Sequence, residues 1–260
     1  MEDPLTTERQ DDGDRFKKLA LVTHVTRYAG QGATQALAQD GYRVVCHDDT
    51  FTDPVAREAF CSANPGYIAL SEQRPDRLVE AALEQGEAID TIVSNDYVPR
   101  PLNRLTLEEA NADDIRGMFE ALTIFPFLLL QSAIEPMRAA GGGSVIFITS
   151  SVGKRPLSYN PIYGPARAAT TALVESAAKT LSREGILLYA IGPNFFNNPT
   201  YFPTSDWETS AALRERVDRD VPLGRLGRQD EMGALIAFLA SRRAAPIAGQ
   251  FIAFTGAYLP

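Results

Sequence analysis

The sequence predicts an α/β fold with one doubly wound, mostly parallel sheet flanked by helices. Short apolar runs rich in Val, Ile and Leu, such as Leu19 to Val25 and Val145 to Ile148, recur along the chain as buried parallel strands do. Segments with the helical spacing of apolar residues stand between these runs. The alternation continues along the 260 residues without an internal repeat, which is typical of a single doubly wound domain.

Seven strands and six helices follow from this pattern. The predicted strands are Leu19 to Val25, Arg43 to His47, Tyr67 to Leu70, Thr91 to Ser94, Val145 to Ile148, Leu187 to Ile191 and Phe251 to Phe254. The predicted helices are Ala33 to Gln39, Pro54 to Asn64, Asp76 to Gln85, Ala112 to Ala139, Ile162 to Arg183 and Asp230 to Ser241. Pro126 should bend the fourth helix because proline has no N–H to donate. An irregular region is expected after the sixth strand.

Composition and charge exclude several classes of function. The formal net charge is −8 and the sequence pI is about 4.9, which argues against a nucleic-acid partner. No apolar run approaches the roughly 20 residues that span a bilayer, so no membrane partner is expected. The chain holds only two histidines and has no His/Cys cluster with metal-ligand spacing, so no metal is expected.

The ends of the chain and the cysteines indicate the domain boundaries and the compartment. Residues 1–16 are acidic and polar, lack the features of a signal peptide, and are predicted to be a disordered extension. Residues 17–260 are predicted to form the catalytic domain. Cys46 and Cys61 suit free thiols better than a disulfide scaffold, so we expect a cytoplasmic protein.

The residues between Ser144 and Arg167 carry the predicted chemistry. A buried strand delivers Ser150 to its carboxyl end, and the helix that follows begins with Tyr163 and carries Arg167 four residues later. Positions i and i+4 share one helix face, so the phenol and the guanidinium should be neighbours. A fixed cation beside a phenol favours its ionised form, and arginine does not give up its proton. This trio therefore predicts an acid/base site for an alcohol oxygen, with Ser151 as a weaker candidate for the serine.

The order and spacing of Ser150, Tyr163 and Arg167 resemble the catalytic triad of the halohydrin dehalogenases. Those enzymes look like short-chain dehydrogenase/reductases in which the lysine of Tyr-x-x-x-Lys has become arginine. The resemblance covers the chain from about Lys18 onward. It implies a Rossmann-like domain with a seven-stranded sheet. It also implies a carbon–halide lyase and, by analogy alone, a homotetramer.

The turn after the first strand decides whether a dinucleotide is expected. Dinucleotide-binding turns need glycines so that the backbone can approach the pyrophosphate. Here His24 follows Thr23, and Tyr28 stands where the reductases carry their second glycine. The phenol ring should occupy volume that a nicotinamide dinucleotide requires, while Gly30 and Gly32 are interpreted as helix-packing residues. We therefore expect no cofactor.

Two polar pairs at strand ends remain open to more than one interpretation. Asp48 and Asp49 stand about where a ribose-binding acid would lie, and without the glycines we interpret them as solvated strand-end charges or helix caps. Asn95 and Asp96 resemble the Ser-Asn-Asp stretch of the dehalogenases. A turn residue with a satisfied side chain is as good an interpretation of that pair as a catalytic role.

An aromatic loop follows the sixth strand and is predicted to bind the halide. The resemblance implies that this loop and the aromatic residue of the first turn form the halide site, in which aromatic edges and N–H donors hold a weakly hydrated anion. The candidate residues are Tyr28, Pro193, Asn194, Phe195, Phe196, Tyr201 and Phe202. Asn194 and Phe195 are the candidates for the N–H donors. A plain aromatic core cluster under a loop is the alternative. The short loop and the chain end at Pro260 predict a wide pocket for bulky or cyclic substrates.

The predicted reaction is the reversible closure of vicinal haloalcohols to epoxides. Tyr163 would take the hydroxyl proton, Ser150 would hold the oxygen, and the halide would leave into the aromatic loop. The resemblance implies that azide, cyanide or nitrite can replace halide in the reverse direction. Two alternatives stay open, an NAD(P)-dependent short-chain alcohol dehydrogenase and a non-enzymatic relative with a dead site.

Overall fold

One sheet of seven parallel strands organises the computed structural model of the chain, as the sequence predicts. The structure describes residues 18–100, 105–157 and 161–259, so the predicted extension 1–16 lies outside the described residues. The strands are β1 (Lys18–Val22), β2 (Tyr42–His47), β3 (Ile68–Leu70), β4 (Thr91–Ser94), β5 (Gly143–Ile148), β6 (Ile186–Pro193) and β7 (Phe251–Phe254). Their order across the sheet is β3-β2-β1-β4-β5-β6-β7.

Helices cover both faces of the sheet. The helices are α1 (Gly30–Gln39), α2 (Pro54–Ala63), α3 (Pro75–Leu83), α4 (Ala112–Phe119), α5 (Phe125–Ala139), α6 (Tyr163–Leu181), α7 (Thr204–Thr209), α8 (Ala211–Asp220) and α9 (Gln229–Ala240). Because side chains alternate along a strand, Ile146 and Ile148 face one core cluster while Val145 and Phe147 face the other.

The order of the strands creates a switch point between β1 and β4. The chain runs outward from β1 through β2 to β3 and then returns to the other side of β1, where β4 pairs with it. In a doubly wound sheet the connections diverge at such a point and leave a crevice beyond the carboxyl ends of the strands. The segments after β1, β4, β5 and β6 therefore meet at one edge of the sheet.

The first strand and the region after β6 differ from the prediction. The strand β1 ends at Val22 rather than at residue 25, because the backbone enters a tight turn in which His24 (φ 47°) and Tyr28 (φ 41°) are left-handed. The region that was expected to be irregular contains α7 and α8. Both helices are short and one is strongly polar, so apolar spacing did not reveal them.

The long helix predicted over 112–139 is interrupted near Pro126, as expected. Between α4 and α5 the backbone forms a π-helical turn over Glu120–Ile124, and Pro126 lies in the first turn of α5. Pro126 has no N–H to donate to the carbonyl of Leu122, four residues earlier. The hydroxyl of Thr170 on α6 donates to that carbonyl instead, which ties α6 to this helix.

By length and composition alone, Ala112–Ala139 is the one stretch among the described residues that would be long enough to cross a membrane. In the structure this stretch contributes Leu122, Leu129, Ala133 and Met137 to the two core clusters. A core helix of a globular domain meets the same criteria, so the finding carries no assignment to a membrane.

Candidate active site

Ser150 and Tyr163 lie at one cleft beyond the carboxyl end of β5, as predicted. Ser150 comes two residues after β5, and its hydroxyl oxygen accepts a hydrogen bond from the Val152 N–H at 3.3 Å. Tyr163 is the first residue of α6, and both side chains line the cleft. The hydroxyl of Ser151 is buried, has no hydrogen-bond partner among the described residues, and does not line this cleft. The structure therefore places Ser150, and not Ser151, opposite Tyr163.

Arg167 lies directly behind Tyr163 and is held in one orientation. Its Nε donates to the Tyr163 hydroxyl oxygen at 3.0 Å, its Nη1 to the Ile148 carbonyl at 3.0 Å, and its Nη2 to the Asp96 carbonyl at 2.8 Å. The side chain is 1% exposed. Burial alone would lower the pKa of the guanidinium, but the neighbouring phenols of Tyr163, Tyr201 and Tyr28 raise it above its usual range. The cation is therefore permanent and aimed at the phenol oxygen.

Six of the seven predicted anion-site residues line the same cleft. These are Tyr28, Pro193, Asn194, Phe196, Tyr201 and Phe202. The rings of Tyr28 and Tyr201 meet edge to face at 5.1 Å, and the Tyr201 ring lies 6.0 Å from that of Tyr163. The volume of the cleft is about 60 Å³. One wall of the cleft is therefore aromatic, and the other carries the hydroxyl groups of Ser150 and Tyr163.

Phe195 is the one predicted anion-site residue that lies outside the cleft. Its backbone is left-handed (φ 48°), and its ring packs in a separate cluster that includes Val217 and Tyr258. The Phe195 N–H donates to the side-chain oxygen of Asn194 at 2.9 Å, so it is already engaged. The Asn194 side-chain nitrogen, in contrast, is buried without a hydrogen-bond partner among the described residues. Of the two candidate donors, the Asn194 carboxamide is therefore the one without a partner among the described residues, and Asn194 is also a lining residue of the cleft.

The predicted role of Tyr28 as a plug agrees with its position. The side chain is 4% exposed, its hydroxyl donates to the Thr149 carbonyl at 3.2 Å, and the Arg167 guanidinium lies 5.6 Å from its ring centre. Burial raises the pKa of Tyr28 well above its usual range, and the nearby Tyr163 acts in the same direction. The phenol thus stays neutral and bridges the first turn to the end of β5.

The first turn does not fit a dinucleotide. The Tyr28 ring takes the space beside the end of β5, as described above. A Cβ on Gly30 would lie 2.4 Å from the Val25 carbonyl oxygen, and one on Gly32 would lie 2.2 Å from the Gln229 carbonyl oxygen. Both glycines therefore serve close packing of α1, as predicted, and the turn offers no glycine cradle for a pyrophosphate.

Asp48, the acid at the end of β2, is engaged in hydrogen bonds within the protein. The Asp48 carboxylate accepts from the backbone and the hydroxyl of Thr26 (2.9 and 2.7 Å) and from those of Thr50 (3.2 and 2.7 Å). Burial opposes its ionisation, but hydrogen bonds from Asp49, Thr26 and Thr50 lower the pKa of Asp48 to about 2. Asp48 is buried, so its interpretation as a solvated strand-end charge is wrong. Its interpretation as a helix cap is confirmed, because its side chain caps the short 3₁₀ helix that follows β2.

The Asn95–Asp96 pair follows β4 and contacts both the first turn and Arg167. The Asn95 carboxamide accepts from the Ala29 N–H at 3.0 Å and donates to the carbonyls of His24 and Arg27, both at 3.0 Å. It is a satisfied turn residue, which was one of the two interpretations. Asp96 is 2% exposed, and burial raises the pKa of its carboxyl to about 6 despite the Ser94 hydrogen bond and the charge of Arg167.

Several residues that line the cleft were not predicted from the sequence. They are Arg100, Val152, Leu157, Asn198 and Arg216. Asn198 is a structural residue whose side-chain oxygen accepts from the N–H groups of Thr200 and Tyr201 at 3.0 and 2.7 Å. The two arginines come from a strand-end loop and from α8, which are far from the motif in sequence. No local signal marked them.

Comparison with known proteins places the chain in a family. Residues 28–258 match a family model described as enoyl-(acyl carrier protein) reductase. Cis-4-hydroxycyclohexanecarboxylate dehydrogenase from Sinomonas cyclohexanicum is 28% identical over 256 residues, which are 95% of this chain and 98% of that protein. A 3-oxoacyl-[acyl-carrier-protein] reductase from Vibrio cholerae is 26% identical over 242 residues, 92% of this chain and 96% of that protein.

Solved structures give a closer match. A structure named dehalogenation enzyme is 36% identical, with a TM-score of 0.88, and covers 94% of this chain and 99% of its own. A halohydrin dehalogenase bound to ethyl (2S)-oxiran-2-ylacetate is 35% identical with a TM-score of 0.88, covering 92% and 96% of the two chains. The chain therefore belongs to the halohydrin dehalogenases, carbon–halide lyases built on the fold of the short-chain dehydrogenase/reductases.

Proposed function

We propose that the enzyme closes vicinal haloalcohols to epoxides reversibly and without a nicotinamide cofactor, with Ser150, Tyr163 and Arg167 as its catalytic residues. The observation that carries the proposal is the 3.0 Å hydrogen bond from Arg167 to the Tyr163 hydroxyl at a cleft whose first turn is closed by Tyr28. A reductase needs room for a dinucleotide at this place. This chain has an aromatic wall there instead.

In the forward direction Tyr163 acts as the general base. It takes the proton of the substrate hydroxyl, and Arg167 stabilises the phenolate that accepts it because a charge-assisted hydrogen bond strengthens on ionisation. Ser150 donates a hydrogen bond to the substrate oxygen and holds it. The oxygen then attacks the neighbouring carbon, the C–O bond forms as the C–halogen bond breaks, and the halide leaves with the electron pair. The nucleophile belongs to the substrate, so effective concentration supplies much of the rate.

The leaving halide is received by the aromatic wall and by Asn194. The unpartnered side-chain nitrogen of Asn194 provides the N–H donor, and the ring edges of Tyr28, Phe196 and Tyr201 provide partial positive charge. A buried donor without a partner costs free energy that a bound anion would recover. An Asn194→Ala variant should therefore bind bromide more weakly.

In the reverse direction Tyr163 protonates the opening epoxide while an anion attacks the ring carbon. Azide, cyanide and nitrite are the proposed alternatives to halide, since each is a small anion that the same donor can hold. Bulky and cyclic epoxides are the proposed substrates beyond simple ones.

We further propose a homotetramer that pairs α4, α5 and α6 with copies of themselves. Along the segment from α4 to α5, Leu122 is buried in the core and Phe127 is 42% exposed. Ile115 and Ile124 are also exposed on these helices, at 44% and 40%. Exposed apolar side chains on packed helices favour burial at an interface.

The decisive experiment is bromide release from 1,3-dibromo-2-propanol by the purified protein without added nucleotide. We expect release in the wild type and its loss in Tyr163→Phe, which removes the hydroxyl but keeps the ring. A folded Tyr163→Phe variant with most of its activity would reject the roles given above. NADH that binds the protein and is required for turnover of an alcohol would instead support a dehydrogenase.

A further inference from the structure

The segment after β7 carries a buried aromatic residue, Tyr258, to which the mechanism described so far gives no role. Tyr258 is 6% exposed and is not a lining residue of the cleft. A tight turn leads to it, in which Gly256 (φ 59°) and Ala257 (φ 67°) are left-handed and the Tyr258 N–H donates to the Thr255 carbonyl at 3.1 Å. A Cβ on Gly256 would lie 2.8 Å from a methyl group of Val221, so the turn packs closely against the protein.

The ring of Tyr258 packs against the ring of Phe195 in the loop after β6. The two rings meet edge to face, with their centres 5.0 Å apart, which is a favourable arrangement for an aromatic pair. Both belong to one buried cluster with Val217, Val221 and Leu226. The backbone of Phe195 is left-handed (φ 48°), and a residue other than glycine keeps this conformation only where its surroundings impose it. The packing of the Phe195 ring therefore holds its backbone.

The backbone of Phe195 in turn holds the carboxamide of Asn194. The Phe195 N–H donates to the Asn194 side-chain oxygen at 2.9 Å, and the Phe195 carbonyl accepts from the Gly227 N–H at 2.9 Å. With its oxygen engaged in this way, the carboxamide keeps a nitrogen that has no partner among the described residues. A change in the backbone of Phe195 would move the N–H group and the carboxamide with it.

Arg155 holds Tyr258 through two contacts. Its Nη1 donates to the Tyr258 carbonyl at 2.6 Å, and its guanidinium lies 4.1 Å from the centre of the Tyr258 ring, within the range of a cation–π interaction. Arg155 comes five residues after Ser150 in the sequence, and its N–H donates to the Ser151 carbonyl at 2.9 Å. Tyr258 thus connects the loop that carries Ser150 with the loop that carries Asn194.

From these contacts we infer that Tyr258 is a positioning residue for anion binding, which orients the Asn194 carboxamide through Phe195. The inference rests on the proposed function, in which Asn194 receives the halide and holds the anion that attacks an epoxide. Tyr258 does not line the cleft, so it acts through its neighbours and not on the reacting atoms. Its removal should therefore weaken the binding of anions much more than it slows the chemical step at Tyr163.

The test is the variant Tyr258→Ala in the opening of 1,2-epoxybutane by azide, with bromide as a competing anion. We expect the KM for azide and the inhibition constant of bromide to rise about five- to twentyfold, the size of effect that follows when one N–H donor to an anion is misplaced. The kcat at saturating azide should stay within about twofold of the wild type. Tyr258→Phe keeps the ring that contacts Phe195 and should restore both constants.

Arg155→Ala tests the same connection from its other end. Arg155 is exposed, so this variant can be measured even where Tyr258→Ala does not fold. It should raise the bromide constant in the wild type by less than Tyr258→Ala does. It should add little in the Tyr258→Ala background, because residues that act through one contact are not additive. An unchanged bromide constant in Arg155→Ala would contradict the role of this contact.

Phe51→Ala is the matched control for the loss of a buried ring. Phe51 is 1% exposed, packs against the ring of Phe60 at 4.8 Å, and does not line the cleft. This variant should unfold at a lower temperature and keep the wild-type bromide constant. A folded Tyr258→Ala variant with the wild-type bromide constant, a loss confined to kcat, or an equal change in Phe51→Ala overturns the inference. A wild type that releases no bromide without nucleotide rejects the proposed function instead, so the two failures are distinguishable.

Discussion

At the scale of single residues, the geometry around Arg167 explains why arginine rather than lysine occupies this position. Its three hydrogen bonds run to the Tyr163 hydroxyl and to two carbonyl groups, those of Ile148 and Asp96. A planar guanidinium presents donors in several fixed directions, whereas an ammonium is a compact point charge. The two carbonyl contacts set the orientation, and the third donor is thereby aimed at the phenol oxygen.

Arg167→Lys should therefore retain a positive charge and lose most of the activity. We expect kcat for bromide release to fall about 100-fold or more, because the aimed donor is lost and two buried carbonyls lose partners. A variant that keeps the wild-type kcat would show that charge alone, and not direction, is what Tyr163 needs.

Asp96 gives a prediction about stability and pH. Burial raises the pKa of its carboxyl to about 6, above the value near 3.8 of a free aspartate, and burial lowers the pKa of the neighbouring His24 to about 3, so the imidazole is neutral. A raised carboxyl pKa means that the folded state binds the proton more tightly than the unfolded state. The stability from this group is therefore greatest at about pH 4 and below and is lost as the pH rises through 6.

Asp96→Asn removes this pH dependence. Between pH 5 and pH 8 the free energy of unfolding of Asp96→Asn, relative to that of the wild type, should rise by about 1 to 1.5 kcal/mol. Urea titrations of both proteins at the two pH values measure the difference. A difference that stays constant, or that moves in the opposite direction, would mean that the carboxyl is already ionised at pH 5.

At the scale of elements, the attachment of α6 positions Tyr163 and Arg167, two of the proposed catalytic residues. This helix carries Tyr163 and Arg167 in its first two turns, and the Thr170 hydroxyl donates to the Leu122 carbonyl that Pro126 leaves without its usual donor. The Thr123 hydroxyl adds a second link, donating to the Ala166 carbonyl at 3.1 Å. The interrupted part of the long helix thus binds α6 through two hydrogen bonds.

Thr170→Val should lower the free energy of unfolding by about 1 to 3 kcal/mol, because the substitution keeps the shape and leaves a buried carbonyl without its hydroxyl donor. Thr171→Val is the matched control. The Thr171 hydroxyl is also buried, but it donates to the Arg167 carbonyl within its own helix at 3.1 Å, so its loss should cost less. Equal losses in the two variants, measured by urea unfolding, would show that the bond to the Leu122 carbonyl stabilises the protein no more than a bond within α6.

The elements that the sequence predicts are those that depend on local patterns. All seven strands and the contact between Tyr163 and Arg167 were predicted, because apolar runs and the i, i+4 rule are local properties of the chain. The direction of Phe195 was not, since it depends on a left-handed backbone and on an Asn194 side chain that turns back onto its N–H. The Leu122–Thr170 bond joins residues 48 apart, and only packing brings such pairs together.

At the scale of the whole molecule, sheet order brings the distant segments of the site together. The first turn, the Asn95–Asp96 pair, Ser150 and the aromatic loop all follow strands whose carboxyl ends lie at one edge, close to the switch between β1 and β4. Gln229 joins two of these segments across the edge, donating to the Tyr28 carbonyl at 2.8 Å and the Asn197 carbonyl at 3.1 Å. Gln229 thus holds the first turn and the aromatic loop together at this edge of the sheet.

The proposed assembly depends on the exposed apolar side chains of the long helix pair, and Phe127 offers the clearest test. We expect light scattering of the wild type to give a mass about four times the 28.3 kDa of one chain. Phe127→Asp, at a position 42% exposed, should give smaller species because a charge would be buried at the interface. Val55→Asp is the matched control, since Val55 is 74% exposed on α2, away from these helices. A monomeric wild type rejects the tetramer, and a tetrameric Phe127→Asp variant shifts the interface to another surface.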